Sequence, residues 1–229
     1  MLYLLQKAIG WTIIHATEWV IKRFSDSPPV FDAMAYPLTA ELQEHWQALR
    51  DEYFAYCREH EPRRMSEVFR EQEKIAPKGN WLNVMLRFYS YEVPHEPRFF
   101  QRSREIIERY PLVTSAMFSV IPNGKRIKPH RGPYKGLLRF HLGLKIPDSP
   151  DCYMILDGKK IHWQEGGVIL FDDTYEHEVR NQSGEERIIL FIDYLRPLPF
   201  PINGLNKLVY KLMRISPFIR KVVENHKKR

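Results

Sequence analysis

Arg187-Ile188-Ile189-Leu190-Phe191-Ile192-Asp193-Tyr194 is a strongly apolar run headed by an arginine. In an extended chain alternate side chains point to opposite faces. Ile188, Leu190, Ile192 and Tyr194 therefore share one face, and Arg187, Ile189, Phe191 and Asp193 share the other. The same alternation runs through Leu137 to Leu144, with Leu138, Phe140 and Leu142 on one side and Arg139 and His141 on the other. Ala116 to Ile121 ends at Pro122-Asn123-Gly124, a hairpin signal, and Tyr153–Leu156 and Lys160–Trp163 flank the stronger one, Asp157-Gly158. With Gly167 to Phe171 this makes a series of short strands and turns from 116 to 195, which predicts a mainly β sandwich or jelly roll.

The first half is different. Thr39 is placed to cap a helix whose Leu42, Trp46, Leu49 and Tyr53 fall on one face, and a second helix is expected over Ser103 to Tyr110, stopped by Pro111. These helices buttress one sheet. Arg58 to Gly79 reads as a loop-rich or short-helical insertion, and Ser25-Asp26-Ser27-Pro28-Pro29 as a linker. The expected organisation is an amphipathic N-terminal helix and linker over 1–29, a strand domain with N-terminal helices over 30–200, and a basic amphipathic tail over 201–229.

A length of 229 residues with 44% hydrophobic and 13% aromatic side chains is ample for a closed core. The net charge of +7 lies wholly from Lys207 onward, where eight Lys or Arg face one acid, Glu224. No basic-aromatic stripe runs through the rest, so nucleic acid is not an expected partner. Cys57 and Cys152 are read as reduced thiols of a cytoplasmic protein. The apolar start is interrupted by Lys7, Glu18 and Lys22-Arg23, too often for a membrane span, and carries no signal-peptide cleavage site. Leu5, Ile9, Ile13, Ala16 and Val20, flanked by Trp11 and Trp19, predict an amphipathic helix that packs on the domain or on another copy in preference to a membrane. Leu205, Leu208, Leu212 and Ile215 with Lys207, Lys211 and Arg214 predict a second, basic one suited to the anionic inner face of a membrane.

Three residues carry the candidate chemistry. His130 lies in a loop just before a strand, and His177 starts a strand after an acidic turn. Loops and strand ends at one rim of a barrel converge, so these histidines, 47 residues apart, can share a metal. Two imidazoles suit Fe(II) and leave positions open for a cosubstrate and oxygen. Arg187 then offers a bidentate carboxylate contact, unless it is an exposed strand end paired with Glu185-Glu186. An inward Arg139 needs an anion, either an acidic ligand or an internal ion pair. Asp172 and Asp173 are read as turn residues ahead of metal ligands. No phosphate-binding glycine loop, Ser-His-Asp order or paired CxxC supports another chemistry.

Pro129-His130-Arg131-Gly132-Pro133-Tyr134, Leu138-Arg139-Phe140-His141-Leu142-Gly143-Leu144, Phe171-Asp172-Asp173-Thr174-Tyr175-Glu176-His177-Glu178-Val179 and Arg187 together resemble the aspartyl/asparaginyl β-hydroxylase family, over roughly 81–197. The resemblance implies a double-stranded β-helix (cupin-like jelly roll) and an Fe(II)- and 2-oxoglutarate-dependent dioxygenase. It implies His130 and His177 as iron ligands, and Arg187 with Ser119 on the remote carboxylate of 2-oxoglutarate. Arg139 and His141 then contact its other end, and Trp81 lines the cosubstrate site. Gly132 stands where most such oxygenases place a carboxylate, which this family lacks. The tail Gly204-Leu205-Asn206-Lys207 is also similar to that of bacterial lipid A hydroxylases, a subgroup that keeps an aspartate at the position of Gly132. The implied substrate is an Asp/Asn-type peptide or amino acid, with a lipid acyl chain as the alternative. A non-catalytic cupin-like binding protein and a peripheral membrane or interaction protein are the competing classes.

Overall fold

The structure of the protein is a computed structural model describing residues 2–77 and 79–227, with side chains undescribed at 2–11, 70, 226 and 227. The expected contributions of Leu5, Ile9 and Trp11 to the N-terminal apolar stripe, and of Lys227, Lys228 and Arg229 to the basic tail, lie outside what is described.

In chain order the strands are β1 (Val30–Phe31), β2 (Arg63–Arg64), β3 (Leu82–Phe88), β4 (Tyr91–Glu92), β5 (Val113–Ile121), β6 (Lys125–His130), β7 (Leu137–Lys145), β8 (Cys152–Leu156), β9 (Lys159–Ile161), β10 (Val168–Phe171), β11 (His177–Asn181) and β12 (Arg187–Leu195). The helices are α1 (Leu2–Phe24), α2 (Pro37–Cys57), α3 (Met65–Val68), α4 (Gln101–Arg109), α5 (Ile202–Arg214) and α6 (Pro217–Lys227). The strands form two antiparallel sheets. The major sheet runs β1-β10-β7-β12-β5-β3-β2, with β4 on β3, and the minor sheet runs β6-β11-β8-β9. From β5 onward the chain crosses repeatedly between the two, with the hairpin β8–β9 as the one adjacent pair. That winding is a double-stranded β-helix, the jelly roll expected from the spacing of strands and turns.

Each face of the major sheet is covered. Leu138, Phe140, Leu142, Ile188, Leu190, Ile192 and Tyr194 pack under α2 and α4, where Leu38, Leu42, Leu49, Tyr53 and Ile106 meet them. The opposite face, with Met117, Ile121, Ile189 and Phe191, packs on Ile127, Met154, Leu156 and Val179 of the minor sheet. Fully burying a side chain of this size contributes roughly 1.5–3 kcal/mol, so both layers hold the sandwich shut.

Several boundaries differ from the sequence expectation. Helix α2 begins at Pro37 with Tyr36 as its N-cap, and the Thr39 hydroxyl, buried, donates to the Ala33 carbonyl at 2.6 Å. Helix α4 begins two residues before Ser103 because Glu52 of α2 accepts from the backbone of Arg102 (2.6 Å) and Ser103 (3.1 Å) and so satisfies its N-terminal amides. Within the basic amphipathic segment, Ile202, Asn206, Val209 and Tyr210 of α5 are buried against the domain, as are Ile219, Val222 and Val223 of α6. No described helix is long and apolar enough to cross a membrane.

Candidate active site

His130 ends β6, His177 begins β11, and the two are register partners across the minor sheet. Their ring centroids lie 4.1 Å apart, tilted by 50°. His130 is therefore a strand residue and not part of a loop; direct strand pairing, not loop convergence, joins the two rings. Each ring is oriented by its own chain. His130 Nδ1 donates to the Lys128 carbonyl at 2.8 Å and His177 Nδ1 to the Tyr175 carbonyl at 2.9 Å. A carbonyl only accepts, so both Nδ1 atoms carry the proton and both Nε2 atoms carry a lone pair. Burial holds both histidines below the ordinary imidazole range, His177 down to about 3 with His130 as the second cause. Neutral rings with free Nε2 atoms, fixed by a hydrogen bond at the other nitrogen, are the form a divalent metal takes up.

No third protein ligand joins them: among the described residues no cluster of three His, Cys, Asp or Glu is arranged to hold a metal. Asp173 takes the space of the missing side chain two residues after His130. A Cβ on Gly132 would lie 1.9 Å from Asp173 Oδ2, and the Gly132 amide donates to the Asp173 carbonyl at 2.7 Å. Asp173 is itself paired, at 2.7 Å, with Arg139, which also holds Asp193 at 3.0 Å. One guanidinium between two buried carboxylates leaves excess negative charge. Desolvation pushes Asp173 up to about 7 against the pull of Arg139, and Asp193 adds to the rise. The anion required by an inward Arg139 is thus supplied by the chain, as the internal-pair reading has it. Asp172 is the turn residue expected: it accepts from Thr174 N and Oγ1 and pairs with the buried Lys135.

Arg187 stands in contrast. It is 1% exposed, and its Nε and Nη1 have no hydrogen-bond partner. The guanidinium lies 4.8 Å over the Trp163 ring, and burial lowers its pKa to about 10. The reading of an exposed strand end paired with Glu185-Glu186 fails, because those glutamates extend to Lys145, 3.6 Å from each. An unpaired buried cation costs several kcal/mol, a cost that a bound anion would offset.

Two further donors share the inner face with it. His141 Nδ1 accepts from Trp163 Nε1 at 3.3 Å, which puts the proton on Nε2, and Nε2 is buried without an acceptor. Burial, with Arg187 second, keeps that ring neutral, well below the ordinary range. Ser119 pairs in register with Ile189 and so lies diagonal to Arg187 on the same face; its Oγ accepts from Trp81 Nε1 at 2.9 Å, leaving the hydroxyl proton free to donate. Phe171 stands edge-on to both His141 (4.9 Å) and His177 (5.8 Å) and so links the donors of the major sheet to the histidine pair. The structure thus gathers His130, His177, Arg187, His141, Ser119 and Trp81 into one interior, with Arg139 beside them in its own ion pairs. Orphaned donors on the inner face of the major sheet, with two neutral imidazoles in the same interior, fit an oxygen-rich anion alongside a divalent cation.

Sequence reasoning missed Trp163 and the part played by Asp173. Trp163 follows a hairpin and reads as ordinary core. The Asp173–Gly132 contact joins positions 41 residues apart, and only the Asp193–Arg139 register pair, both on inward faces, hints that carboxylates gather there.

The family model described as aspartyl/asparaginyl beta-hydroxylase matches residues 43–197. An ornithine lipid ester-linked acyl 2-hydroxylase of Rhizobium tropici is 33% identical over 203 residues, 88% of this chain and 72% of that protein. The aspartyl/asparaginyl beta-hydroxylase of Homo sapiens is 28% identical over 165 residues, 70% of this chain but only 21% of that protein. Among solved structures, a Pseudomonas putida prolyl-4-hydroxylase is similar at a TM-score of 0.46 and 18% identity, over 67% of this chain and 87% of that one.

Proposed function

This chain belongs to the aspartyl/asparaginyl β-hydroxylase family, and from that premise we propose that it is an Fe(II)- and 2-oxoglutarate-dependent dioxygenase that hydroxylates the acyl chain of a polar lipid. The observation that carries the cosubstrate assignment is Arg187, a buried guanidinium whose Nε and Nη1 lack any acceptor, on the sheet face next to two histidines with free Nε2 atoms.

In this reading His130 and His177 hold Fe(II) through Nε2. When bound, iron with 2-oxoglutarate and O2 supplies the oxidising power for an unactivated C–H bond. The chain supplies everything else. Arg187 receives the remote carboxylate as a bidentate partner, and the Ser119 hydroxyl, set by Trp81, donates to the same group. His141 Nε2–H donates to the end nearer the metal, held in that tautomer by Trp163. Arg139 keeps Asp173 turned into the space over Gly132 and away from solvent. Trp163, Phe171 and Phe191 close the interior against water, which strengthens each of these charged contacts.

The lipid assignment leans on the ornithine-lipid relative, which aligns over 203 residues and so reaches beyond the matched core of 43–197. A second reading, an Asp or Asn side chain as substrate, is favoured by Gly132, the residue in which this chain resembles the peptide-directed members.

Purified protein given Fe(II), 2-oxoglutarate and O2 is expected to consume 2-oxoglutarate slowly without substrate, and the double substitution His130→Ala/His177→Ala is expected to abolish both iron binding and turnover. Tight iron binding that survives the double substitution sinks the site assignment. Offered polar lipids or Asp-containing peptides, the enzyme should add one oxygen atom, read by mass spectrometry, to a lipid acyl chain; hydroxylated peptide with untouched lipid decides for the second reading.

A further inference from the structure

Helix α5 is divided lengthwise into three rows. Ile202, Asn206, Val209 and Tyr210 face the domain. Leu205, Leu208, Leu212 and Ile215 recur every three or four residues and form an outward row, Leu208 and Ile215 being more than half exposed. Lys207 and Lys211, also exposed, line the flank of that row. The neighbouring helices repeat the pairing of apolar and cationic groups. On α1, which contacts α5, Trp19 is 64% and Phe24 57% exposed, beside exposed Lys22 and Arg23. On α6, exposed Phe218 is followed by exposed Arg220 and Lys221.

So much aliphatic and aromatic surface in one region marks a site that is covered in use. Charge decides by what. Helix α5 contains no acid, and the two acids of α1 and α6 are Glu18, bonded to His15, and Glu224, which faces a cavity with Tyr91 and Arg220. A second copy packed face to face would set these cations against their own kind. An anionic bilayer neutralises them while the apolar row enters the boundary between headgroups and acyl chains. We propose that the outward faces of α5 and α1 dock this protein onto an anionic phospholipid bilayer, lying on it and not spanning it.

The docking face is tied to the site. Asn206 of α5 accepts from Tyr134 Oη at 2.8 Å and donates to the carbonyls of Gly136 and Arg196, so the helix grips the segment that runs from His130 into β7. Docking deepens the lipid-substrate reading by naming the surface on which such a substrate is met, and it is measured without iron or 2-oxoglutarate, so its failure leaves the chemistry of the site untouched.

The test is flotation of the full-length protein with vesicles of phosphatidylcholine alone or in equimolar mixture with phosphatidylglycerol. Binding to the anionic vesicles, weakened by salt, is expected. Lys207→Gln/Lys211→Gln should weaken it about 30-fold, and Leu208→Glu/Leu212→Glu should abolish it with the thermal midpoint unchanged, since both leucines are exposed. Absence of wild-type binding, or binding indifferent to the leucine substitutions, overturns the proposal. So does a dimer in solution that those same substitutions dissociate, because a second copy would then be what covers this face.

Discussion

Asp173 fills the space that a side chain on Gly132 would need: its Oδ2 lies 1.9 Å from where the Cβ would stand. The two positions belong to the segments that carry His130 and His177, and the Gly132 amide locks them together through the Asp173 carbonyl at 2.7 Å. Glycine at 132 is thus a packing requirement of this chain. Gly132→Ala must displace the Asp173 carboxylate from Arg139, an overpacking cost of about 1–3 kcal/mol. Shortening the obstructing residue in Gly132→Ala/Asp173→Ala should return part of that loss, giving a clear coupling in a double-mutant cycle of denaturant unfolding. Strictly additive effects would show that the two side-chain positions do not compete for one space.

Arg187 sets binding against stability. Its unpaired charge destabilises the ligand-free protein, so Arg187→Met, similar in length and uncharged, is expected to raise the thermal midpoint of the apo protein, while Arg187→Met abolishes capture of 2-oxoglutarate. For the wild type, 2-oxoglutarate at a hundredfold excess over its Kd should add about 2.7 kcal/mol of stability. Differential scanning calorimetry of both proteins, with and without the ligand, checks all of this; a variant still stabilised by 2-oxoglutarate would remove Arg187 from the anion site.

The cluster Asp173–Arg139–Asp193 titrates. Asp173 is raised from 3.8 to about 7, chiefly by desolvation. A carboxylate whose folded pKa lies above its unfolded one binds its proton more tightly in the native state, so its contribution to stability is complete below about 4 and is lost as pH rises through about 7. Unfolding free energy of the metal-free protein should therefore fall over that interval, by at most about 1.4 kcal/mol per pH unit for one proton. Asp173→Asn, which keeps the shape without the titration, should flatten the slope. An unchanged slope would assign the proton elsewhere.

How much of this is legible in the sequence depends on how each element is buried. Strands β7 and β12 announce themselves because each has a purely apolar face under the helices and a mixed face toward the site, so Arg139, His141 and Arg187 stand out against Phe140 and Ile188. Strand β3 does not: Asn83, Val84, Met85 and Leu86 are buried in succession, so nothing alternates. Strand β6 fails for the opposite reason. It is an edge strand with Arg126, Lys128 and Pro129 exposed and Ile127 alone buried, which is why His130 reads as a loop residue. The histidines and Arg187 are visible by spacing and resemblance. The tautomers, the orphaned guanidinium and the Gly132–Asp173 contact exist only once the two sheets face each other.

Trp163 offers the most discriminating test of how the site is held. Its indole donates to His141 Nδ1 and its ring lies under the Arg187 guanidinium, so one side chain fixes both donors aimed at the proposed cosubstrate while touching neither His130 nor His177 in the contacts described. Trp163→Phe keeps a ring beneath Arg187 but removes the N–H, which frees His141 to place its proton on either nitrogen. The expected result is a KM for 2-oxoglutarate raised several-fold, on the scale of one net hydrogen bond, about 1 kcal/mol, with Fe(II) affinity unchanged. His141→Gln, able to donate from a similar position, should retain more turnover than His141→Leu. Equal loss in both His141 variants, or a fall in iron affinity in Trp163→Phe, would mean that this pair supports the metal centre and not the anion beside it.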